Sequence, residues 1–327
     1  MMPLSKLLKK KELTLNKTLL IDASFLGHRS RFTLGNLSTE ERRTGVIFGF
    51  LDQIWTIGME FQTNNFIFCW DSRESIRKEM SPIYKNKRHE DLTPEEIYEL
   101  KIAFEQFDIL RTEVLPEMGF KNHFQQEGYE ADDIFASYVH RNKDCIIVSA
   151  DQDLFQLLDY ADMYNNQTKK LITSKSFQKL YGCTPKQWIQ VKAIAGCKSD
   201  NVAGIEGVGE KSVIKYLNGE LPKLTKKKEP NKSFALIEEF KEEKLKENIP
   251  LVKLPLRGTK VFKKVPNDFS MERFIRICFK YEFISFIKEQ EQWRRFFALG
   301  ENNGKQESAK GKSKSKKVTK KSSRTYL

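Results

Sequence analysis

The chain has 327 residues, with 57 Lys and Arg against 44 Asp and Glu, so its formal net charge is +13. A hydrophobic content of 39% and 24 Phe exclude a wholly disordered chain, and the short apolar runs and Lys-interrupted N-terminus argue against a membrane or secreted protein. Five scattered Cys and four dispersed His form no zinc motif, which favours reduced thiols in the cytoplasm (host cytoplasm if the protein is viral) and oxygen ligands for any metal ion.

Four short β-rich runs lie in the first half of the chain: Thr18–Asp22, Asn65–Trp70, Cys145–Ser149 and Ala161–Asn165. The first three are almost entirely apolar, which is typical of strands buried on both faces of a parallel sheet. A capping box at 93–96 begins a helix between the second and third runs, and another helix begins at Glu130. The apolar positions of the first helix are Ile97, Leu100, Phe104, Phe107, Leu110 and Val114. This alternation predicts an α/β domain.

The second half of the chain has a different character. It contains predicted helices at 188–195, 211–217, 233–247 and 271–297, a glycine-rich turn at 204–209 and a polar loop at 219–233. We predict an α/β domain over 1–185 and a smaller helical domain over 186–300. Residues 301–327 carry nine Lys and Arg and two Glu, which predicts a disordered tail that attracts nucleic acid nonspecifically, with a nuclear signal or a docking tail as alternatives.

Carboxylates follow three of the predicted strands. Asp22 ends the first, Asp71 follows the second, and Asp151 and Asp153 follow the third. Because the carboxyl ends of parallel strands open into one crevice, we expect these side chains to converge. Four further acids extend the set: Glu130, Asp132, Asp133 and Asp200.

So many carboxylates in one place would repel one another and raise one another's pKa unless positive charge lies among them. Because these segments contain no Arg or Lys, a divalent metal ion is the simplest counter-charge, and oxygen ligands favour Mg²⁺. Two such ions about 4 Å apart can clamp the attacking and leaving oxygens of a phosphodiester. Any single Asp here is equally well interpreted as a helix N-cap or a solvated loop acid, but the whole set is not.

Five motifs occur in a recognisable order: LIDAS at 20–24, FCWDS at 68–72, GYEADDIFA at 128–136, SADQDLFQL at 149–157 and DNVAGIEGVGEKS at 200–212. With these motifs the chain resembles the metal-dependent 5′-nuclease family, which includes bacterial and phage 5′–3′ exonucleases, flap endonucleases and, most similar in pattern, the phage ribonuclease H enzymes. The resemblance implies a PIN-like core with a mainly parallel central sheet and flanking helices. It also implies a helical domain with a helix–hairpin–helix turn.

The resemblance further implies two metal positions, which would hold Mg²⁺ with Mn²⁺ as a substitute, and K⁺ at the glycine turn. The first position would lie near Asp22, Asp71, Glu130, Asp132 and Asp133. The second would lie near Asp151, Asp153 and Asp200.

The chain departs from the family pattern at one position. Where the family usually has Gly-Asp-x-x-Asp-Asn, residues 196–201 read Gly-Cys-Lys-Ser-Asp-Asn, so Cys197 replaces an acid. Sulfur is a poor ligand for Mg²⁺, and this predicts a weakened second metal position. We interpret Cys197 itself as a small apolar packing residue.

A basic segment within residues 73–115 corresponds, in this resemblance, to an arch or clamp over the active site. Its matching residues are Arg77, Tyr84, Lys85 and Arg88. In a helical turn, Lys85 and Arg88 would point towards one phosphate and offset its developing charge. Tyr84 would stack on an unpaired base. Taken alone, the segment is equally typical of a solvated basic loop.

The glycine turn is not a P-loop, because Glu210 stands where that motif needs Lys, and it is not a dinucleotide fingerprint, because position 212 is Ser. A helix–hairpin–helix turn fits better, since it brings backbone N–H groups close to a DNA phosphate. The predicted DNA contacts are Gly204, Gly207, Gly209, Lys211 and Ser212. A tight interhelical turn without DNA is the alternative.

Together these features predict a Mg²⁺-dependent 5′–3′ exonuclease or flap endonuclease of DNA replication or repair, with RNA primers as a further substrate. The alternatives are a DNA-structure-binding relative with catalysis weakened by Cys197, and a smaller PIN-like RNA nuclease. Expected partners are DNA with a 5′ flap or 5′ end, an RNA–DNA hybrid, and a single-stranded-DNA-binding protein or clamp. No membrane association is expected, and the lack of a heptad pattern favours a monomer.

Overall fold

A computed structural model describes residues 17–299, apart from the side chains of Arg88 and His89. Its centre is a six-stranded sheet with the spatial order β3-β2-β1-β4-β5-β6. The strands are β1 (Thr18–Asp22), β2 (Phe66–Cys69), β3 (His123–Phe124), β4 (Cys145–Val148), β5 (Asp162–Asn165) and β6 (Lys170–Ile172). Pairing is parallel from β3 to β5 and antiparallel between β5 and β6. The four predicted strands are confirmed, whereas β3 and β6 are too short to show a sequence pattern.

Helices cover both faces of this sheet. They are α1 (Ala23–Leu34), α2 (Gly45–Phe61), α3 (Ile76–Met80), α4 (Pro94–Ile109), α5 (Leu115–Met118), α6 (Ala131–Val139), α7 (Ser174–Tyr181), α8 (Pro185–Ala195), α9 (Glu210–Leu217), α10 (Lys232–Val252), α11 (Met271–Lys280), α12 (Ile284–Lys288) and α13 (290–299). A short ladder of β7 (Gly196–Cys197) and β8 (Val202–Ala203) follows α8. Within residues 17–299, no helix combines the length and the apolar character that crossing a membrane requires.

The strands are buried on both faces because successive side chains point to opposite sides of a sheet. Leu19 and Ile21 of β1 face one hydrophobic core, and Leu20 faces the other. Each fully buried aliphatic side chain contributes roughly 1.5–3 kcal/mol relative to an exposed one, so the two faces hold the sheet rigidly between helices. The buried apolar strands therefore fix where the polar strand ends lie.

The C-terminal helices belong to the core of the α/β domain, which corrects the predicted domain boundary. Phe274 and Ile277 of α11, and Trp293 and Phe296 of α13, pack in the same core as Leu19. The opposite core joins Ile134 of α6 to residues of α8, α9 and α10. The prediction of one helical unit over 186–300 is therefore wrong for residues 271–299. The predicted tail at 301–327 lies outside the described residues.

Helix α4 begins where its capping box predicts. The Thr93 side chain accepts a hydrogen bond from the Glu96 backbone N–H, and the Glu96 carboxylate accepts one from Thr93. The predicted apolar stripe is only partly buried, however, because Ile97 and Phe104 are exposed. A π-helical turn at Leu110–Val114 follows and changes the buried face, so a single 3.6-residue period does not describe this segment.

The order in which strands are added to the sheet changes sides between β1 and β4, while the strands stay parallel. From β1 the chain proceeds outwards to β2, whereas β4 returns to the other side of β1 and leads on to β5. In open α/β sheets, ligands bind at this switch point, outside the carboxyl ends of the strands. Asp22, Asp71 and Asp151 stand at that edge.

Candidate metal-binding active site

Asp22 is fixed at the floor of the crevice. As the N-cap of α1, its Oδ1 accepts a hydrogen bond of 2.9 Å from the Phe25 backbone N–H. Its Oδ2 accepts a 2.7 Å hydrogen bond from the Ser149 hydroxyl, which lies just beyond β4. A carboxylate has about four acceptor positions, so Asp22 retains acceptor capacity towards the crevice. The N-cap interpretation and the metal interpretation are therefore compatible.

Three further acids line the same crevice. The Asp71 Oδ1 accepts a 2.8 Å hydrogen bond from the Ala131 backbone N–H and thereby holds the start of α6 against β2. Asp132 lies in the first turn of α6, and Asp151 caps the 3₁₀ turn that follows β4. We call Asp22, Asp71, Asp132 and Asp151 the carboxylate cluster. Among the described residues, none of its four members forms an ion pair.

Burial and repulsion between carboxylates raise the pKa of three members of this cluster: Asp22, Asp132 and Asp151. Loss of water contact, followed by repulsion from Asp71, raises the pKa of Asp22 to about 7. Burial and the charges of Asp151 and Asp22 raise the pKa of Asp132 well above its ordinary value. Desolvation and repulsion from Asp153 raise the pKa of Asp151 to about 6. These directions are those expected of acids that lack a counter-charge.

This perturbation predicts how stability responds to pH and metal. A carboxyl group with a raised pKa in the folded state favours folding at low pH, and this contribution is lost as the pH rises through that raised pKa. A divalent cation should offset the loss. We expect the metal-induced gain in the free energy of unfolding to grow between about pH 6 and pH 8. At pH 8 it should reach about 2.7 kcal/mol when the free metal concentration is about a hundredfold above Kd.

Urea denaturation with saturating Mg²⁺ and with chelator, at each pH, measures this difference. Histidine titration contributes equally to the free energy of unfolding in both conditions and therefore cancels in the difference. A gain that is constant across the pH range, or that shrinks as the pH rises, would contradict the account.

Arg77 and Asp133 form a buried ion pair, whereas Arg77 is predicted to belong to the arch over the active site and Asp133 to lie near the first metal position. The guanidinium of Arg77 donates to both carboxylate oxygens of Asp133 at 2.6 and 2.8 Å. Asp133 also accepts from the Leu256 backbone N–H. Arg77 and Asp133 are 1% and 0% exposed. In this arrangement Arg77 cannot reach a phosphate, and Asp133 accepts four hydrogen bonds from protein donors, which fills the acceptor positions of a carboxylate.

Lys85 and Tyr84 instead surround Glu130. The Lys85 ammonium lies 2.8 Å from Glu130 Oε1 and 3.9 Å from Asp200 Oδ1. The Tyr84 hydroxyl donates to the other Glu130 oxygen at 3.1 Å. Burial alone would raise the pKa of Glu130, but the charges of Lys85 and Arg77 and the hydrogen bonds from Lys85 and Tyr84 outweigh it and lower this pKa. Tyr84 is buried, so the predicted stacking of its ring on an unpaired base is wrong in this arrangement.

The backbone at Lys85 is unusual. Lys85 has a φ of 53°, in the left-handed region, and precedes a 3₁₀ turn at Asn86–His89. Its backbone N–H donates to Asp200 at 2.9 Å, and the Asn201 side chain donates to Ile83. These bonds dock the basic segment onto the loop that carries Asp200. Lys85 therefore lies before the helical turn, not within it, and its ammonium faces carboxylates.

A second cluster lies beside the first. Ligand atoms of Asp153, Cys197 and Asp200 all lie within 4.8 Å of one another. Lys192 of α8 is 3.1 Å from Asp153 Oδ1 and 3.3 Å from Glu210 Oε1. The thiol of Cys197 lies 3.8 Å from Asp153 Oδ2, and Cys197 also packs with Tyr84 and Val202. We call Asp153, Cys197 and Asp200 the mixed cluster.

The glycine turn joins α8 to α9. A Cβ on Gly204 would lie 2.1 Å from the Ala195 carbonyl carbon, so Gly204 permits close packing within the protein. Gly207 has a φ of +76°, which glycine adopts readily. Gly209 is the N-cap of α9 and has open space around its Cβ position. The turn therefore presents the N-terminus of α9 outwards, with Lys211 exposed and Ser212 half-buried beside it.

Several contacts of the site are not part of the sequence prediction, which names Arg77 but not its pairing with Asp133. Lys192 and Arg77 bring positive charge among the acids from segments outside the acidic motifs. Ser149 orients Asp22, and Asn248 of α10 donates to the Ala193 carbonyl of α8 and the Ala203 carbonyl of β8, both of which precede the glycine turn. A Lys within an otherwise apolar helical stretch was the available signal for Lys192.

The cations do not reach every acid. They pair with Glu130, Asp133, Asp153 and Asp200 and leave the carboxylate cluster without an ion pair in the described part of the chain. Carboxylate oxygens are the ligands that hard divalent cations prefer. The chemistry of this donor set suits a divalent metal ion, and we therefore treat the carboxylate cluster as the candidate metal-binding site at the switch point of the α/β sheet.

Known proteins share this fold and these motifs. Residues 17–182, half of the chain, match the family model described as 5′-3′ exonuclease, N-terminal resolvase-like domain. A 5′-3′ exonuclease of Buchnera aphidicola subsp. Schizaphis graminum is 30% identical over 205 residues, which cover 60% of this chain and 68% of that protein. The chain therefore belongs to the 5′-3′ exonuclease family.

Two further similarities are more partial. DNA polymerase I of Bacillus caldotenax is 31% identical over 247 residues, which cover 71% of this chain and only 26% of the polymerase, so the match spans about a quarter of that protein. A phage T5 D15 flap endonuclease, solved as a pseudo-enzyme-product complex with DNA and metal ions, matches with a TM-score of 0.59 and 23% identity. That alignment covers 73% of this chain and 89% of the T5 chain, and it supports the predicted fold class.

Proposed function

We propose that this chain hydrolyses phosphodiester bonds of DNA at a 5′ end or a 5′ flap junction, with Mg²⁺ or Mn²⁺ held by the carboxylate cluster. The observation that carries the proposal is the position of Asp22, Asp71, Asp132 and Asp151 at the switch point, without ion-pair partners in the described residues. A divalent cation bound there would offset the charge of the scissile phosphate and lower the pKa of a water molecule.

The residues around the cluster hold its geometry. Ser149 and the Phe25 N–H orient Asp22, and the Ala131 N–H orients Asp71. The Arg77–Asp133 pair fixes the start of α6, because Asp133 also accepts from the Glu130 backbone N–H. Lys85, paired with Glu130 and Asp200, places a positive charge at the crevice. Preorganised charge of this kind is the main contribution a protein makes to phosphoryl-transfer chemistry.

Two observations support the proposed preference for flapped or 5′-ended DNA: the geometry of the glycine turn and the similarity to known nucleases. The turn presents the N-terminus of α9 and Lys211 to solvent, which suits a phosphate of the DNA backbone, with K⁺ as a further ligand of the turn. The T5 relative is a flap endonuclease crystallised with DNA. We therefore place the duplex against the turn and the 5′ end in the crevice, and assign the activity to replication or repair.

The experiment is a cleavage assay with the full chain on a flapped duplex labelled at the 5′ end of the flap. We expect release of a labelled, flap-length product in Mg²⁺ and in Mn²⁺, and none in chelator. A matched substrate with an RNA flap measures the RNA preference. Tight binding without cleavage in either metal would favour a binding protein, and cleavage of single-stranded RNA in preference to both flaps would favour an RNA nuclease.

Gly209 allows the duplex-binding part of the proposal to be tested with matched charge variants. Asp and Asn are both favoured N-cap residues, and either side chain fits the open space at this position, so α9 should stay folded in both. A carboxylate there would repel a phosphate. We expect Gly209→Asp to bind duplex DNA about tenfold more weakly than Gly209→Asn at low salt.

Fluorescence anisotropy in chelator measures this binding without cleavage. The difference between the two variants should decrease as the salt concentration rises, because screening weakens the repulsion. Equal affinities for Gly209→Asp and Gly209→Asn at low salt would show that no phosphate approaches the turn.

A further inference from the structure

The mixed cluster differs from the carboxylate cluster in its chemistry and in its geometry. Among the described residues, Asp153, Cys197 and Asp200 are the one set of three His, Cys, Asp or Glu ligand groups that lie within 4.8 Å of one another. The three residues come from two segments: Asp153 lies in the 3₁₀ turn after β4, whereas Cys197 ends β7 and Asp200 lies in the 3₁₀ turn that directly follows it. The positions of three potential ligands are therefore already set by the fold.

The backbone restricts how these side chains can move. Cys197 pairs with Val202 in the β7–β8 ladder and is 5% exposed. Asp200 is tied through its carbonyl to the Lys85 N–H. The sulfur of Cys197 approaches Asp153 Oδ2 at 3.8 Å, while the other oxygen of Asp153 faces Lys192. One oxygen of Asp153 is thus directed towards the thiol.

The charges around the cluster favour a divalent cation. Two carboxylates and one thiolate carry three negative charges. Two lysines lie beside them: Lys192, which also contacts Glu210, and Lys85, which also contacts Glu130. With those two acids included, five negative charges face two positive ones, and a divalent ion would offset two of the remaining three. The Cys197 thiol must lose its proton to solvent as the metal–sulfur bond forms, as in other thiolate sites.

The sulfur determines which divalent cation this can be. Thiolate ligands select Zn²⁺ and chemically similar ions, whereas Mg²⁺ requires oxygen ligands in near-octahedral geometry. We propose that Asp153, Cys197 and Asp200 form a thiophilic divalent-cation site that takes Zn²⁺ or Cd²⁺ in preference to Mg²⁺, next to the oxygen-only carboxylate cluster. The two metal positions of this chain would then hold chemically different ions. This inference extends the proposed function, on which it rests for the role of the neighbouring cluster.

Cadmium is the probe, because a cadmium–thiolate bond gives an ultraviolet charge-transfer band. We expect one equivalent of Cd²⁺ to produce this band in the full chain and in Cys183→Ser, a control at another buried free cysteine. Cys197→Ser should abolish the band and weaken Cd²⁺ binding by at least about tenfold. Excess Mg²⁺ should leave the band of the wild-type chain intact. A band that persists in Cys197→Ser, or that Mg²⁺ removes from the wild-type chain, would overturn the proposal.

A measurement on the unmodified chain keeps the proposal testable if a variant fails to fold. X-ray absorption at the zinc edge, with one equivalent of Zn²⁺, should show one sulfur neighbour at about 2.3 Å together with oxygen neighbours. An environment of oxygen and nitrogen alone would overturn the proposal. If that result occurred in a chain that cleaves flaps in Mg²⁺, the proposed function would stand and the thiophilic site would be refuted. A zinc–sulfur bond in a chain that does not cleave flaps would support the thiophilic site and refute the proposed function.

Discussion

The Asp132→Asn variant is expected to cleave a 5′-flapped duplex with a kcat at least about 10³-fold below that of the wild-type chain in saturating Mg²⁺. The physical reason is the loss of one ligand charge from the carboxylate cluster, where a bound cation supplies several kcal/mol of transition-state stabilisation. Asp132 forms no ion pair in the described residues, and burial and Asp151 raise its pKa despite the opposing charge of Lys85, so a bound cation would be its main counter-charge. Steady-state rates at saturating labelled substrate measure kcat, and single-turnover rates show whether the cleavage step itself is slowed.

Two controls separate this effect from damage to the fold. Asp159→Asn makes the same chemical change at an exposed position just after the 3₁₀ turn at Gln152–Leu157, and it should retain wild-type activity. In chelator, Asp132→Asn should be at least as stable as the wild-type chain, because it removes repulsion within the cluster. A rate for Asp132→Asn within tenfold of wild type would remove Asp132 from the metal site.

The second large effect is on stability. Arg77→Met should lower the free energy of unfolding by about 3–5 kcal/mol, because it leaves the Asp133 carboxylate buried without its cation. Arg77 also donates to the Leu251 carbonyl at 2.8 Å, which ties α3 to the end of α10. Chemical denaturation measured in chelator reports this loss independently of metal binding.

An exposed ion pair provides the matched control. Arg276 pairs with Glu272 on α11 at 2.9 Å with both side chains largely exposed, so Arg276→Met should cost less than about 1 kcal/mol. The double variant Arg77→Met, Asp133→Asn removes both buried charges and should recover at least half of the stability lost in Arg77→Met. If Arg77→Met were as stable as Arg276→Met, the buried pair would have no structural role.

The sequence patterns predict the frame of the molecule well, because burial on both faces leaves a clear signal. β1, β2 and β4 are short apolar runs, each ended or closely followed by an acid. Parallel pairing then requires those acids to share one edge. The capping box at Thr93 is similarly predictable, since it depends on two residues that are three positions apart in the sequence.

The ion pairs of the site cannot be predicted from local sequence in this way. Arg77 and Asp133 are 56 positions apart, and Lys192 reaches Asp153 from a different helix. Nearby sequence gives these acids no cationic neighbours, but the fold brings Lys or Arg side chains into ion pairs with Glu130, Asp133, Asp153 and Asp200. In the described residues, only the carboxylate cluster is left without an ion pair.

Tyr84 and the C-terminal helices show a second reason for error. An aromatic residue within a basic run has the same local sequence whether it stacks on a base or packs in the protein, and here Tyr84 is 2% exposed. The amphipathic pattern of α11 likewise indicates that one face is buried but does not indicate which core receives it. Both assignments depend on contacts between distant segments.

The most direct test of the account is the location of bound metal in crystals of the full chain soaked in Mn²⁺. Anomalous diffraction should show a strong peak in the crevice bounded by the carboxylates of Asp22, Asp71, Asp132 and Asp151. Absence of a peak there, at a Mn²⁺ concentration that supports cleavage in solution, would contradict the assignment of this cluster as the catalytic metal site.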